Sequence, residues 1–303
     1  MKILVVGSSN IDIVAQVNHL PLPGETVGNA VITQAYGGKG ANQAVAAARL
    51  GGNVTFVTFL GNDLYSKSLT EHFKNEGIFT KYILIDTENP TGIALIFVAS
   101  NAENCIAVAP GSNGKLLPAA ISKFESAIDS ADMLVMQAEI PYETIKQTAL
   151  LAHKKGVKVL LNPAPACPID KEFMQAVDIL VVNETESEMI SGLNFEKNNI
   201  DVIANALMNQ GAKNVVITLG RKGAYLRTET TCCQVPGFKV DAVDTTAAGD
   251  TFCGALAVFC AGNPLNEKAL RFASAAAAIS VTRLGAQPSV PKLEEVITFL
   301  QQH

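Results

Sequence analysis

The sequence predicts an α/β fold: a doubly wound, mostly parallel sheet with helices on both faces, plus a small β-sheet lid. Short apolar runs alternate with helical patterns along the 303 residues. Most of these runs are continuously apolar, which is typical of strands that are covered on both faces. Two segments, about 11–36 and 92–109, hold pairs of extended runs with no helix between them, which indicates hairpins.

The elements of the main sheet can be placed in order along the chain. Strands are predicted at 3–6, 54–60, 133–136, 157–161, 179–182 and 215–219. Helices are predicted at 41–50, 66–75, 141–155, 202–210 and 251–260, with a further buried helix in the alanine-rich stretch 273–279. This alternation favours parallel strands joined by right-handed crossovers.

Length alone is compatible with about two domains. The two hairpin segments, however, are separated in the chain by residues with the strand and helix patterns of the main sheet. We therefore expect one domain, 1–303, with a lid assembled discontinuously from about 11–36 and 92–109.

Composition and charge exclude several classes of protein. Hydrophobic residues make up 48% of the chain and charged residues 17%, which excludes a disordered protein. The 23 basic and 28 acidic residues give a net charge of −5, so the whole chain shows no electrostatic footprint for nucleic acid.

The N-terminus MKILVVGSSN is typical of a first strand rather than a signal peptide. The longest apolar stretch, 252–262, is too short to span a membrane. The six cysteines contain no C-x-x-C pair. We expect a reduced, cytoplasmic protein that binds neither membrane nor nucleic acid.

Several common signatures are missing from the sequence. There is no P-loop, no G-x-G-x-x-G after the first strand, no H-E-x-x-H and no G-x-S-x-G. The four histidines are scattered and suggest no ligand cluster.

The strongest motif is Asp244-Thr-Thr-Ala-Ala-Gly-Asp250, which precedes a predicted helix. The small residues Ala247, Ala248 and Gly249 would let N–H groups at the positive end of that helix hold a phosphate or a developing anion. Asp250 beside such a nest could take a proton from a substrate hydroxyl. The alternative is that Asp250 only stabilises the helix dipole, as an ordinary first-turn carboxylate does.

A second motif, Gly37-Gly-Lys-Gly-Ala-Asn-Gln-Ala44, opens an alanine-rich helix. Its glycines allow close backbone approach and Lys39 supplies a positive charge, although a plain turn with a solvated lysine has the same pattern. Asn42 is polar within an apolar helix, which favours a position facing a ligand.

Other polar residues follow predicted strands, at the sheet edge where α/β proteins bind ligands. Asn10, Asp12 and Glu139 could meet sugar hydroxyls there. Asn183 with Glu186 is also the spacing of a capping box, and the segment 218–223 is either part of a nucleotide pocket or a simple turn.

Together these segments resemble the ribokinase-like (PfkB) sugar kinase family over essentially the whole chain. The matching stretches are GSSNIDIV, GGKGANQAVAAARLG, TGIALIFV, LNPAPA, NETE, TLGRKGA, VDTTAAGDTFCGAL and GAQPSVP. The combination of Gly-Gly-Lys-Gly with Ala-Ala-Gly-Asp is highly specific to that family.

The resemblance implies ATP-dependent phosphorylation of ribose at its 5-hydroxyl, with Mg²⁺ and K⁺ as cofactors. It makes Asp250 the base and the amides of residues 247–249 the anion hole. By similarity the sugar is held by Asn10, Asp12, Gly38, Lys39, Asn42, Glu139 and Asp250. The nucleotide is held by Asn183, Thr218, Leu219, Gly220, Arg221, Lys222, Gly223, Gly249 and Ser274.

The resemblance also assigns metal sites. Glu186 matches the acid associated with Mg²⁺, through waters. The monovalent-cation site, formed largely by backbone carbonyls, matches Asp244, Thr246, Ser280, Arg283, Gly285 and Ser289. The chain departs from the family at Ser274, where histidine is frequent near the adenine, and at Thr246, where isoleucine is more familiar.

The family pairs lid strands between subunits, so a homodimer is expected. Two alternatives stay open from the sequence: a kinase for another pentose or nucleoside, such as deoxyribose, and a sugar sensor without catalytic activity. The intact Asp250 and Gly-Gly-Lys-Gly argue against the sensor.

Overall fold

The computed structural model of the protein describes residues 1–101 and 103–303. Over those residues the chain forms thirteen strands and ten α-helices, with short 3₁₀ turns. The strands are β1 Lys2–Val6, β2 Asn10–Val17, β3 Val31–Gly37, β4 Asn53–Gly61, β5 Ile83–Asp86, β6 Gly92–Ala99, β7 Asn104–Ala109, β8 Met133–Gln137, β9 Lys158–Asn162, β10 Ile179–Asn183, β11 Val215–Thr218, β12 Ala224–Arg227 and β13 Cys232–Val235. The helices are α1 Lys39–Arg49, α2 Leu64–Asn75, α3 Glu125–Asp129, α4 Tyr142–Lys154, α5 Lys171–Gln175, α6 Glu184–Ser191, α7 Ile200–Asn209, α8 Ala248–Gly262, α9 Glu267–Ser280 and α10 Leu293–Gln302.

The main sheet has the strand order β13-β12-β11-β10-β9-β8-β1-β4-β5. Its neighbours from β11 through to β5 pair in parallel, and only β12 and β13 are antiparallel. The predicted fold class, a doubly wound and mostly parallel sheet, is therefore confirmed.

Both faces of the main sheet are buried, which explains its continuously apolar strands. In β1, Ile3 and Val5 join the apolar cluster beneath α1, α8 and α9, whereas Leu4 and Val6 join the cluster on the opposite face. Fully burying one such side chain stabilises the fold by about 1.5–3 kcal/mol.

The predicted element bounds differ from the structure mostly at helix starts. The helix predicted at 251–260 begins at Ala248, because Ala247 adopts a left-handed φ of 57° and turns the chain into the helix early. The predicted buried helix 273–279 is the second half of α9.

The lid sheet has the order β3-β2-β6-β7. The pairs β2–β3 and β6–β7 are antiparallel, as the hairpin pattern predicted, while β2 and β6 pair in parallel and so join the two separated segments. The chain enters the lid sheet twice, from β1 to β2 and from β5 to β6, and only three residues separate the end of β1 from β2.

All six cysteines lie in the described part of the chain and are free. Across residues 1–101 and 103–303, no helix has both the length and the apolar character needed to cross a membrane.

Candidate active site

The carboxyl edge of the main sheet carries a row of polar side chains. Four neighbouring parallel strands, β8 to β11, end in Gln137, Asn162, Asn183 and Thr218. The sheet register places Gln137 beside Asn162, and Asn183 beside Thr218. Ligands bind at this edge in open α/β sheets because the helix N-termini also lie there.

Asp250 lies in the first turn of α8 and is only 6% exposed. Its Oδ2 accepts a hydrogen bond from Asn42 Nδ2 at 2.9 Å, and its Oδ1 accepts one from Gln43 Nε2 at 3.0 Å. The carboxylate is therefore held from α1 rather than by the backbone of its own helix. This geometry disfavours the interpretation of Asp250 as an ordinary helix-dipole carboxylate.

Gln43 anchors this arrangement to the main sheet. Its Nε2 also donates to Asn162 Oδ1 at 3.1 Å, and its Oε1 accepts from Gln137 Nε2 at 2.7 Å. Asn162 in turn donates to the Val181 carbonyl at 3.0 Å. Sequence reasoning did not single out these glutamines or Asn162, although a buried glutamine in an alanine-rich helix was a usable signal.

Asn42 is also enclosed by protein groups. While its Nδ2 donates to Asp250, its Oδ1 accepts from Gln287 Nε2 at 3.1 Å. The polarity of Asn42 within an apolar helix thus marks a buried position beside the carboxylate.

The glycine-rich entry to α1 brings two backbone segments together. Gly38 has a φ of 90°, and a Cβ there would lie 2.8 Å from the Cα of Ser9. A Cβ at Gly40 would lie 2.5 Å from the backbone nitrogen of Ser8. Only glycine permits this approach.

Glu139 links the start of α1 to the segment after β1 by hydrogen bonds. One of its oxygens accepts from the Lys39 backbone N–H at 2.9 Å and from the Ser8 hydroxyl at 2.5 Å. Its other oxygen makes neither of these bonds, so the carboxylate can still accept from a ligand.

Asn10 begins β2 and is fixed by Asn113. Asn113 Nδ2 donates to Asn10 Oδ1 at 2.7 Å, and its Oδ1 accepts from the Ser9 N–H at 3.0 Å. Sequence reasoning missed Asn113 because it lies more than 100 positions from its partners.

Asp12, two residues further along β2, is half-buried. Burial, followed by the negative charges of Glu139 and Asp250, raises the pKa of Asp12 to about 6. Three carboxylates thus surround one small region.

Lys39 balances that negative charge. Asp250 is the main cause that raises the pKa of Lys39 above its ordinary value, and Glu139 and Glu186 add to it, whereas burial opposes the shift. The ammonium group therefore stays charged. Burial raises the pKa of Glu186, and Lys39 partly offsets this.

The N-terminus of α8 offers open amide groups. The N–H of Ala248 donates to the Thr245 carbonyl at 3.2 Å, while those of Gly249 and Asp250 have no acceptor among the described residues. Gly249 is exposed, and a Cβ built there would meet no described atom within 4 Å. Free N–H groups at the positive end of a long helix suit a phosphate group.

The residues predicted for the nucleotide lie further along the same edge. Asn183 and Glu186 form a reciprocal capping box, with bonds of 2.7 and 3.0 Å, as the spacing allowed. After β11, residues 220–222 form a 3₁₀ turn in which Arg221 and Lys222 are exposed. Ser274 is buried within α9.

The residues predicted for a monovalent cation form two linked loops. Asp244 accepts from the Thr246 N–H at 2.9 Å and from the Gly285 N–H at 2.8 Å. Burial alone would raise the pKa of Asp244, but the bonds from Thr246 and Gly285 outweigh it and lower the pKa.

Side chains contribute little to the interior of these two loops. The hydroxyls of Ser280 and Ser289 donate to carbonyls of their own turns, and Arg283 is directed to Glu295. Among the described residues no group of three or more His, Cys, Asp or Glu side chains could hold a metal ion. Any divalent ion would need further ligands, such as nucleotide phosphates.

Comparison with known proteins identifies the family. The profile described as pfkB family carbohydrate kinase matches residues 1–293. The chain belongs to this family.

Individual pfkB relatives match over nearly their full length. A ribokinase from Haemophilus influenzae is 42% identical over 98% of this chain and 97% of its own. A deoxyribokinase from Salmonella typhi is 36% identical over 99% of both chains. The structure of Arabidopsis thaliana ribokinase complexed with ribose and ATP is 34% identical, with a TM-score of 0.91, over 99% of this chain and 98% of that one.

Within this pfkB chain, the predicted acceptor residues do come together. Hydrogen bonds link Lys39 to Glu139 and Asn42 to Asp250, and charge interactions link Asp12 to both carboxylates. The side chain of Arg283 instead pairs with Glu295 in α10.

Proposed function

We propose that the protein transfers the γ-phosphoryl group of ATP to the 5-hydroxyl of D-ribose, giving ribose 5-phosphate and ADP. The observation that carries this proposal is the buried Asp250, with an amide fixed on each oxygen and open N–H groups beside it. The ribokinases among its pfkB relatives support the same reaction and substrate.

Asp250 would accept the proton of the attacking hydroxyl. Asn42 and Gln43 hold both of its oxygens from one side, which leaves each oxygen a lone pair for the substrate. The open N–H groups of Gly249 and Asp250 would stabilise charge on the transferred phosphoryl group, whereas that of Ala248 donates to the Thr245 carbonyl. Lys39 adds a fixed positive charge. No covalent intermediate on the protein is needed.

The sugar would lie between β2 and the start of α1. Asn10 and Asp12 are on the same face of β2, because alternate residues of a strand share a face. With Glu139, the Gly38 backbone and Lys39, they form a set of acceptors and donors matched to a polyhydroxyl substrate.

The nucleotide would extend along the carboxyl edge, past Asn183 and residues 218–223, toward Ser274. Backbone amides and exposed side chains dominate there. Mg²⁺ would neutralise phosphate charge when bound. Glu186 fits an indirect role, because it is half-buried and its carboxylate interacts electrostatically with Lys39 and Asp250.

The loops around Asp244 and 280–289 fit a monovalent cation such as K⁺. Backbone carbonyl oxygens of the two loops would be the ligands, and the loops are joined by the bond from the Gly285 N–H to Asp244. They also lie next to the N-terminus of α8, so a cation there would stabilise the turn that precedes the open amides. Activation by K⁺ over Na⁺ would support this assignment.

We propose one catalytic domain, 1–303, whose lid sheet covers the sugar and excludes water. The lid sheet leaves apolar side chains exposed, with Ile32, Ile106 and Val108 each more than half exposed. Such a surface favours a homodimer formed through the lid sheets, which size-exclusion chromatography with light scattering would detect. The free cysteines support a cytoplasmic location.

A substrate panel tests the proposal. ADP release is measured with ribose, deoxyribose, fructose and adenosine at matched concentrations, and the product is identified by mass spectrometry. Ribose should have the largest kcat/KM.

Deoxyribose is the second candidate, because one relative is a deoxyribokinase. The pairing of Asn10 with Asp12 favours ribose, since two neighbouring polar groups match two neighbouring hydroxyls. A larger kcat/KM for deoxyribose would replace the ribose assignment, and sugar binding without turnover would indicate a sensor.

A further inference from the structure

A chain of side-chain hydrogen bonds reaches Asp250 from outside the proposed site. His72 Nε2 lies 2.7 Å from Gln287 Oε1. Gln287 Nε2 donates to Asn42 Oδ1 at 3.1 Å, and Asn42 Nδ2 donates to Asp250 Oδ2 at 2.9 Å. The chain therefore joins α2, the loop after α9, α1 and α8.

Chemistry fixes the direction of every bond in this chain. An ionised Asp250 can only accept, so Asn42 must turn its amide nitrogen toward it. The Asn42 oxygen then faces Gln287, which must donate, and the Gln287 oxygen consequently faces His72. His72 is the Nε2–H donor in this arrangement, and no amide in the chain can flip without placing two acceptors or two donors together.

Burial makes the chain resistant to exchange with solvent. Gln287 is 1% exposed and Asn42 is 6% exposed. The backbone of Gln287 is also clamped, because Arg49 Nη1 donates to its carbonyl at 2.7 Å while the same guanidinium holds Glu76 at 2.6 Å. A broken bond in the chain would leave a buried polar group unpaired.

The outer end of the chain contacts the lid sheet. The His72 ring stacks on Tyr36 of β3, with centroids 4.4 Å apart and planes 28° apart. Tyr36, His72 and Gln287 line a cavity of about 740 Å³. Strand β3 of the lid sheet thus contacts, through Tyr36, the histidine that is hydrogen-bonded to Gln287.

We infer that Gln287 is a positioning residue for Asp250, acting through Asn42, and that His72 orients Gln287 from the lid side. The inference rests on the proposed function, since it concerns the same carboxylate. Because Asn42 lies between Gln287 and Asp250, Gln287 would act on the carboxylate only through Asn42. Its effect is to keep the Asn42 nitrogen, rather than its oxygen, against Asp250.

The substitution Gln287→Glu replaces the donor group that faces Asn42 by an acceptor and keeps the side chain nearly the same shape. Above about pH 8 the introduced carboxylate cannot donate to Asn42, so Asn42 must turn its nitrogen away from Asp250. We expect kcat to fall about tenfold or more while KM for ATP changes less than about threefold, as for loss of a bond to a charged group. A kcat within about twofold of wild type would overturn the inference.

A matched control separates polarity from added charge. Ser68 is exposed and lines the same cavity but takes no part in the chain, so Ser68→Asp adds the same charge nearby. Its kcat should stay within about twofold of wild type. An equal loss in Ser68→Asp and Gln287→Glu would show that charge alone acts and would overturn the inference.

A double-mutant cycle tests the route through Asn42. If Gln287 acts through Asn42, its substitution should change kcat less than about threefold in an Asn42→Ala background. A full tenfold loss in that background would overturn the inference. Should Gln287→Glu fail to fold by thermal unfolding, Gln287→Ala takes its place in the cycle with the same criterion.

Two variants of His72 test the outer link. His72→Phe keeps a ring against Tyr36 but removes the donor, and should lower kcat about two- to fivefold. His72→Gln keeps a donor at the Nε2 position and should stay closer to wild type. Equal rates in the two variants would overturn the role of His72. Failure of the wild type to turn over ribose would instead contradict the proposed function.

Discussion

Asp250 and the side-chain amides of Asn42 and Gln43 are buried and hydrogen-bonded to one another, whereas Gly249, Arg221 and Lys222 along the sheet edge face solvent. The proposed acceptor half of the site is held by side chains from the helices α1 and α8 and the strands β2, β8 and β9. The proposed nucleotide half is made of exposed turns and helix ends. Proton transfer needs one carboxylate orientation, which packing supplies, while a phosphate chain can be held by backbone amides that need no side-chain packing.

The largest expected effect lies at the centre of the buried half. Asp250→Asn removes the only negative group that Asn42 and Gln43 both hold, and loss of a general base lowers rates by about 10²–10⁴. We expect kcat to fall by that range while ADP binding, measured by calorimetry, changes less than about threefold. Asp241→Asn, an exposed change in the preceding loop, is the control. If Asp250→Asn retained more than a tenth of the wild-type kcat, Asp250 would not be the general base, and the buried half would matter no more for catalysis than the exposed half.

The second largest effect is expected on stability, where the start of α1 packs closely against the segment after β1. In Gly40→Ala the new Cβ would lie 2.5 Å from Ser8 N and 2.6 Å from the Gly7 carbonyl carbon, both backbone atoms that cannot move aside cheaply. We expect the free energy of unfolding to fall by about 1–3 kcal/mol or more in urea titrations. Gly114→Ala, whose Cβ would come no closer than 3.6 Å, should change it by less than about 0.5 kcal/mol. Equal costs at the two positions would argue against close packing at Gly40.

Asp12 gives a pH-dependent effect in the buried half. Its pKa of about 6 in the folded protein exceeds the ordinary value of 3.8, so the folded state binds more protons between those values. Stability therefore falls as pH rises from about 4 to 6, and the loss persists above 6. Asp12→Asn should raise the unfolding temperature at about pH 8, and this gain should disappear near pH 4.

The same ionisation affects sugar binding. A protonated Asp12 accepts hydroxyl hydrogen bonds poorly, so wild-type KM for ribose should rise as pH falls below about 6. In Asp12→Asn, KM for ribose should be higher and nearly independent of pH in this range. A wild-type KM that is flat from about pH 5 to 8 would contradict the role of Asp12 as a charged acceptor.

The smallest effect is expected in the open half. The Lys222 side chain is 68% exposed and lies 3.5 Å from Glu184, so the ion pair contributes little. Lys222→Ala should change stability by less than about 1 kcal/mol and raise KM for ATP less than about threefold. A tenfold rise would show that the nucleotide half depends on this side chain more than its exposure suggests.

The main strands could be predicted because each is a continuous apolar run, a signal that is local in the chain. The short strands β5, β12 and β13 were not predicted, since each has only four residues. Two of them, β5 and β13, are edge strands, a position that does not demand an apolar run. Their place is set by pairing with neighbours, which a local pattern does not contain.

The same limit applies to the site. Asp250 and Asn42 stand in compact motifs and were predicted, while the partners that hold them were not. Gln137 lies 94 positions from Gln43, and Gln287 lies 245 positions from Asn42. His72 was set aside because the four histidines are scattered in the sequence and suggest no ligand cluster, whereas the structure gives it a hydrogen bond to an amide.

The three residues between β1 and β2 have a thermodynamic consequence. Asn10 and Asp12 belong to the lid sheet itself, so two of the proposed sugar ligands would move with the lid, while Lys39, Asn42 and Asp250 belong to helices of the main domain. If the lid sheet closes over the sugar as proposed, a sugar bound to these two residues would stabilise the closed state by its higher affinity for that state, and the closed population would rise with sugar concentration. Water makes few such contacts and would therefore stabilise the closed state little. The preference for phosphoryl transfer to the sugar over hydrolysis of ATP would then be set by the equilibrium between the open and closed lid, which the sugar shifts before the reaction begins.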